Sequence, residues 1–117
     1  MSRSWSLFLQ DIVKSAVKVR QYTEGFDLKS FMDNDMAYDA VLRNLEIIGE
    51  AAKKIPPEVR DRYPQVAWRG IAGLRDVLAQ AYFGLDDETL WDIVQKKVPQ
   101  LISTLRAISY QDDVNAG

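Results

Sequence analysis

The chain has 117 residues, a length that fits one domain. It contains neither cysteine nor histidine, which excludes disulfides, thiolate nucleophiles, thiolate metal sites and the usual general base at neutral pH. Its 15 basic and 17 acidic residues give a net charge of −2, so no overall basic field indicates nucleic-acid binding. No apolar run approaches the roughly 18 residues of a membrane span. The first residues are interrupted by Gln10 and Asp11, unlike a signal peptide, so we expect a cytoplasmic protein.

Apolar residues recur at helical spacing from the start of the chain. The first predicted helix covers residues 4–22 and ends in TEGFD, where Gly25 can act as a C-cap. Asp27 can cap a short turn over residues 28–32. A second long helix is predicted over residues 35–55.

Proline separates the second long helix from the third. Pro56 and Pro57 stop the second helix, because the residue before a proline is pushed out of the helical region. The stretch PPEVRDRYP is compatible with one helical turn. A third long helix is then predicted over residues 67–82, and Gly84 ends it.

The last predicted helix starts at the N-cap Asp86 and runs to about Ile108, with a kink expected at Pro99. No segment alternates with period two, so we predict no sheet and an all-α antiparallel bundle. The bundle is one domain, residues 1–110. Residues 111–117 lack an apolar period and are expected to form a disordered tail.

The net charge hides a basic segment. Residues 53–75 hold six basic residues against two acidic ones, a local charge of +4, so the rest of the chain carries −6. Tyr63 and Trp68 lie among these basic residues, a pattern compatible with phosphate contact and base stacking. Alternatively, the segment is a solvated connection with its aromatic side chains folded beneath it. Under the first interpretation, the candidate RNA-binding residues are Lys53, Lys54 and Arg69.

The stretch LRDVLAQAYFGLDD places two chemically active residue types on one helix. Arg75 and Tyr82 are seven residues apart and share a face, whereas Gln80 lies about 140° around the axis from Arg75. These side chains would converge only if the helix end distorts or a second subunit completes the site. The simpler interpretation is that Arg75 is a surface ion-pair partner and Tyr82 a half-buried aromatic residue.

The segment WRGIAGLRDVLAQAYFGLD, preceded by AVLRNLEIIGEAAKKIP and followed by ETLWDIVQKKVPQL, resembles the HepT-like family of HEPN-domain proteins. These proteins are the toxin halves of HEPN/MNT toxin–antitoxin pairs, a type VII-like system. The family motif is an arginine, a polar residue, a short spacer, a histidine, any residue and a tyrosine. Arg75, Asp76 and Tyr82 match this motif, but Gln80 stands at the histidine position.

The resemblance implies an all-α HEPN bundle that dimerises and cleaves RNA as an endoribonuclease, without metal or cofactor. In that chemistry a base takes the proton of a ribose 2′-hydroxyl and a cation stabilises the charge developing at the phosphate. Arg75 can be the cation, but Gln80 cannot accept a proton near neutral pH. We therefore expect catalysis to be impaired, by a replacement that is either engineered or natural.

The resemblance also implies a partner and a modification. An MNT-type nucleotidyltransferase antitoxin would transfer AMP to Tyr82 and so neutralise the toxin. One alternative is a non-catalytic helical protein that binds the nucleotidyltransferase. A second is a purely structural dimerisation module.

Two features of the second long helix stay open. Glu46 and Glu50, four residues apart, are interpreted as a charged edge rather than a metal site, and Glu50 could orient Arg75. Gly49, in mid-helix, costs about 1 kcal/mol relative to alanine. We expect close helix–helix packing to compensate.

Overall fold

The computed structural model describes residues 4–83 and 86–116, with side chains described through residue 108. Every regular element within these ranges is helical, which confirms the predicted all-α fold. In chain order the helices are α1 (Trp5–Thr23), α2 (Leu28–Met32), α3 (Asp35–Lys53), α4 (Pro57–Arg62), α5 (Trp68–Tyr82), α6 (Asp87–Asp92), a π-helical segment (Ile93–Lys97) and α7 (Val98–Ala116). No helix of these ranges is long and apolar enough to span a membrane.

Helix α3 is central to the bundle. It packs between α1 and α5, and α1 also packs against α7. The start of α3 meets the end of α5, so these two helices are antiparallel. The shared core is formed by fully buried aliphatic side chains, among them Ile12, Val19, Leu45, Ile48 and Ile102.

Short polar side chains fix where the first helices begin. The Asp27 carboxylate accepts a hydrogen bond from the Ser30 amide at 2.8 Å, while the Ser30 hydroxyl accepts one from the Asp27 amide at 2.9 Å. Asn34 caps α3 by accepting from the Ala37 amide at 2.9 Å. Such caps satisfy amides that have no partner within the helix. Asp27 is the N-cap of α2, so the predicted boundary there is confirmed.

Helix α6 starts at the predicted N-cap, but without a side-chain cap. Asp86 lies at the N-cap position but adopts left-handed backbone angles, with φ of 65°, and its side chain makes no capping hydrogen bond. Its carboxylate instead accepts a hydrogen bond from the Thr89 hydroxyl, and its carbonyl accepts from the Leu90 amide. The predicted N-cap position at Asp86 is therefore confirmed, but its side chain does not supply the expected capping hydrogen bond.

Pro99 disturbs the last helix one turn before its own position. The Val98 amide donates to the Ile93 carbonyl, five residues back, in a π-type turn that ends just before the proline ring.

The last helix, α7, continues to Ala116, past the end predicted near Ile108. Nothing in the segment between those two residues is proline or glycine, so propagation costs little there. Whether residues 111–117 form a disordered tail stays a prediction, since their side chains and Gly117 lie outside the described residues.

Gly49 is not a close-packing position. A Cβ atom added there would meet nothing within 4 Å, so the expectation that close helix–helix approach compensates for this glycine was wrong. Gly49 instead lines an open groove between α3 and α5.

We predict that Gly49→Ala raises the free energy of unfolding by about 0.5–1 kcal/mol, because alanine loses less backbone entropy in a helix. Urea unfolding of the isolated chain measures this. Gly25→Ala is the control: Gly25 has φ of +82°, so its replacement should destabilise by about 1 kcal/mol. A loss of stability in Gly49→Ala would mean that something covers the groove in solution.

Candidate active site

Helix α5 carries all four motif positions, three that match the family motif and Gln80 at the histidine position. It is anchored through one face, where Ile71, Leu74 and Ala81 are buried. It runs without a break from Trp68 to Tyr82, so no distortion of its end brings residues 75 and 80 together. The motif side chains therefore lie on an undistorted helix, and all of them are exposed: Arg75, Asp76, Gln80 and Tyr82.

An open groove of about 260 Å³ lies between α3 and α5, and we call it the α3–α5 groove. Its apolar floor includes Leu45 and Leu78. Arg75 and Tyr82 both line it, while Asp76 and Gln80 do not. One chain thus brings together the candidate cation and the candidate modification site but leaves the histidine position outside.

Arg75 has no ion-pair partner among the described residues. Glu50, suggested above as its orienting partner, instead pairs with Lys53 at 3.3 Å. Glu46 is the acidic residue that shares the groove with Arg75. The arginine is therefore not a surface ion-pair partner, and its guanidinium is available to an anion in the groove.

The structure also contradicts the simpler interpretation of Tyr82 as a half-buried aromatic residue. Its side chain is 78% exposed rather than half-buried. A phenol hydroxyl at such a position can be reached by a second protein.

The two aromatic residues of the basic segment pack into the fold, as the second interpretation expects, while RNA contact by its basic residues stays a prediction. Tyr63 is buried, and the Trp68 indole N–H donates to its carbonyl at 3.0 Å, so these rings are committed to the fold rather than free for base stacking. The Arg62 guanidinium lies 5.8 Å from the centre of the Trp5 ring, a cation–π distance. All three candidate RNA-binding side chains are exposed, and Lys53 is the member of the set that lines the α3–α5 groove: Lys53, Lys54 and Arg69.

Sequence reasoning missed one residue that positions the site. The Tyr38 hydroxyl donates to the Ala81 carbonyl at 2.9 Å, satisfying an acceptor in the last turn of α5, between Gln80 and Tyr82. Its ring lies 5.6 Å from Phe31, which in turn lies 5.1 Å from Trp91. Nothing in the apolar periodicity distinguishes Tyr38 from a residue that only widens the buried face.

The environment keeps the Tyr38 hydroxyl protonated. Burial raises the pKa of Tyr38, and the nearby carboxylates of Asp87 and Asp39 raise it further. The group therefore stays a hydrogen-bond donor to the end of α5.

Comparison with known proteins identifies the family of the chain. A family model described as Ribonuclease HepT-like matches residues 12–108. The chain is 42% identical over 99 residues to "Putative RNase MJ1380" of Methanocaldococcus jannaschii, which covers 85% of this chain and 91% of that protein. It is 38% identical over 101 residues to "Probable ribonuclease HepT" of Thermococcus cleftensis, covering 86% of this chain and 92% of that protein. No solved structure matches the chain.

The all-helical fold with an exposed motif on α5 defines a HEPN-type helical domain. The chain belongs to the HepT-like ribonuclease family.

We predict that Tyr38→Phe loosens the last turn of α5, because it removes the donor to the Ala81 carbonyl and keeps the ring. The loss should be about 0.5–1.5 kcal/mol, seen as faster hydrogen exchange of the amides near residues 80–83. Tyr22→Phe is the control, since Tyr22 is 41% exposed and makes no hydrogen bond among the described residues. Equal exchange in the two variants would contradict the positioning role.

Proposed function

We propose that this protein is a toxin-type endoribonuclease of a HEPN/MNT system, acting on RNA in the cytoplasm and impaired by Gln80. The observation that carries the proposal is that Arg75 and Tyr82 line one groove in a chain of a ribonuclease family. Arg75 would contact the scissile phosphate, where its planar guanidinium can donate two parallel hydrogen bonds. Lys53, at the same groove, would hold a neighbouring phosphate.

The active site is completed by a second copy of the chain. Residues 75 and 80 point about 140° apart on an ideal helix, and α5 is undistorted between them. In a two-fold dimer, Arg75 of one copy can face residue 80 of the other. Small exposed residues on α5, Ala72, Gly73 and Ala79, support close approach of a second copy.

Position 80 is where the chemistry fails. A histidine there could take the 2′-hydroxyl proton, but the glutamine amide cannot. General acid–base catalysis contributes about 10²–10⁴-fold in rate. The chain contains no histidine that could supply the missing base. Asp76, the polar residue after the arginine, is exposed and would act within the composite site rather than in the groove of its own chain.

Tyr82 is the proposed site of regulation. Its exposed hydroxyl can accept AMP from a nucleotidyltransferase antitoxin, with pyrophosphate leaving from ATP. The added phosphate would lie in the groove of Arg75 and compete with the RNA phosphate.

A second candidate function follows from the same glutamine. If Gln80 is native, the chain would serve as a non-catalytic helical partner of the nucleotidyltransferase. Tyr82 exposure supports this function as well as the first, so the two differ only in whether RNA is cut.

We predict that Gln80→His gains ribonuclease activity by about 10²–10⁴-fold over the chain as given, because it restores the base. Cleavage of labelled RNA without added metal measures this, and expression of the variant should stop cell growth. Gln10→His, at an exposed position on α1, is the matched control and should remain inactive. If the chain as given cleaves RNA as fast as Gln80→His, the role of position 80 is wrong.

We predict that incubation with the nucleotidyltransferase and ATP adds AMP to the chain, and that Tyr82→Phe abolishes the mass gain. Intact-mass spectrometry measures both. Tyr22→Phe should be modified as fully as the parent chain. Persistence of the added mass in Tyr82→Phe would place the acceptor elsewhere.

A further inference from the structure

A polar pocket of about 460 Å³ lies between the end of α1 and the last helix, and we call it the α1–α7 pocket. Its α1 side includes Arg20 and Gln21, and the segment after α1 adds Glu24. The π-helical segment and α7 form the other side, with Gln95 and Arg106. The pocket shares no lining residue with the α3–α5 groove, so the two are separate.

The polar side chains of this pocket are not used to hold the fold together. All five are exposed, and none makes a side-chain hydrogen bond or an ion pair with another described residue: Arg20, Gln21, Glu24, Gln95 and Arg106. Thr23 differs, because it is buried and donates its hydroxyl to the Val19 carbonyl at 2.8 Å. The pocket therefore offers five hydrogen-bonding side chains to a ligand.

Charge at the pocket favours an anion. Two guanidiniums and one carboxylate line it, a local charge of +1 in a chain whose net charge is −2. Arg20 belongs to α1 and Arg106 to α7, so the packing of these two helices places both cations at one pocket. An anion held between the two guanidiniums would offset their mutual repulsion.

We propose that the α1–α7 pocket binds a phosphomonoester, whose phosphate group is held by Arg20 from one helix and Arg106 from the other. A guanidinium presents its donors in a planar fork that matches two oxygens of one anion. One fork occupies both oxygens of a carboxylate, whereas two forks suit the three free oxygens of a phosphomonoester. Its charge of about −1.5 to −2 at pH 7 also matches two cations.

Apolar groups beside the cations indicate that the phosphate carries an organic body. Val17, Phe26 and Pro99, all half-buried, line the same pocket. A bare ion would leave these surfaces uncovered, whereas ligand sites typically combine apolar walls with a few polar groups that fix orientation. The π-helical segment forms part of this wall, and such segments occur frequently at functional sites.

Two sources can supply this chemistry: a small phosphorylated molecule, or the 5′-phosphate at the end of an RNA strand. Both present a terminal phosphate with three free oxygens next to an organic body. An internal phosphate of RNA has only two free oxygens and a single negative charge, so it matches the two guanidiniums less well.

Titration of the full chain with phenyl phosphate at constant ionic strength tests the proposal. The backbone amide resonances of residues 20–26 and 94–99 should shift and saturate in heteronuclear NMR spectra. Arg20→Gln with Arg106→Gln should weaken binding about 10-fold or more, because it removes the charge-assisted hydrogen bonds. Lys29→Gln with Arg43→Gln is the matched control, since both residues are exposed, lie outside the pocket and give the same change in net charge.

Glu24→Gln should change binding in the opposite direction. It removes the one carboxylate that lines the pocket, so phenyl phosphate should bind more tightly than to the parent chain. Circular dichroism confirms that every variant is folded. Three results would overturn the inference: no saturable shift in the parent chain, equal weakening in the arginine pair and its control, or weaker binding in Glu24→Gln.

Competition with RNA separates the two sources. A 2′-O-methyl RNA strand cannot be cut through its 2′-hydroxyl, so these measurements do not depend on the proposed ribonuclease activity and stand if that activity is absent. Displacement of phenyl phosphate by the 5′-phosphorylated strand, but not by the same strand with a 5′-hydroxyl, assigns the site to RNA ends. Displacement by neither strand assigns it to a small molecule. Equal displacement by both strands would mean that internal phosphates bind, which contradicts a phosphomonoester site.

Discussion

The site depends on how α5 packs against α3. One face of α5 is buried through Ile71, Leu74 and Ala81, and Tyr38 holds its last turn by a single hydrogen bond. This attachment leaves the rest of the helix circumference open, which exposes every motif residue. The same packing leaves the α3–α5 groove open, and Arg75 and Tyr82 line it. The arrangement therefore combines a rigid support with an exposed motif.

Charge divides the bundle along α3 and α5. The connection between these helices and their adjoining ends carry the basic segment, while the opposite ends carry carboxylates that have no ion-pair partner among the described residues. Arg75 lies in the groove between the two regions. Under the proposed function, RNA would reach Arg75 from the basic side.

Much of the fold could be predicted from the sequence, because apolar spacing and capping residues act locally. Asp27 and the proline pair at residues 56 and 57 end or start helices where expected. Asp86 and Pro99 were harder, since a left-handed residue and a π-type turn depend on how two helices join in space. The empty space beside Gly49 could not be predicted from the sequence of α3 alone, because it depends on the path of α5.

The site was predictable only in part. The identity of the motif residues follows from the pattern in α5, but their exposure and the groove are tertiary properties. Tyr38 is 43 residues from Ala81 in the chain, so no local pattern signals their hydrogen bond. Conversely, Tyr63 and Trp68 fit an RNA-binding pattern, because the packing of their rings against the core is not encoded in the spacing of arginines.

The central claim is that two copies build one active site from Arg75 of one chain and residue 80 of the other. Mixing two inactive chains tests it most directly: the chain as given, and a chain that carries both Arg75→Ala and Gln80→His. Neither chain holds a complete pair, so each alone should leave RNA intact, while the mixture should cleave it through mixed dimers. If the mixture is inactive although Gln80→His alone cleaves RNA, both residues act within one chain and the account is wrong.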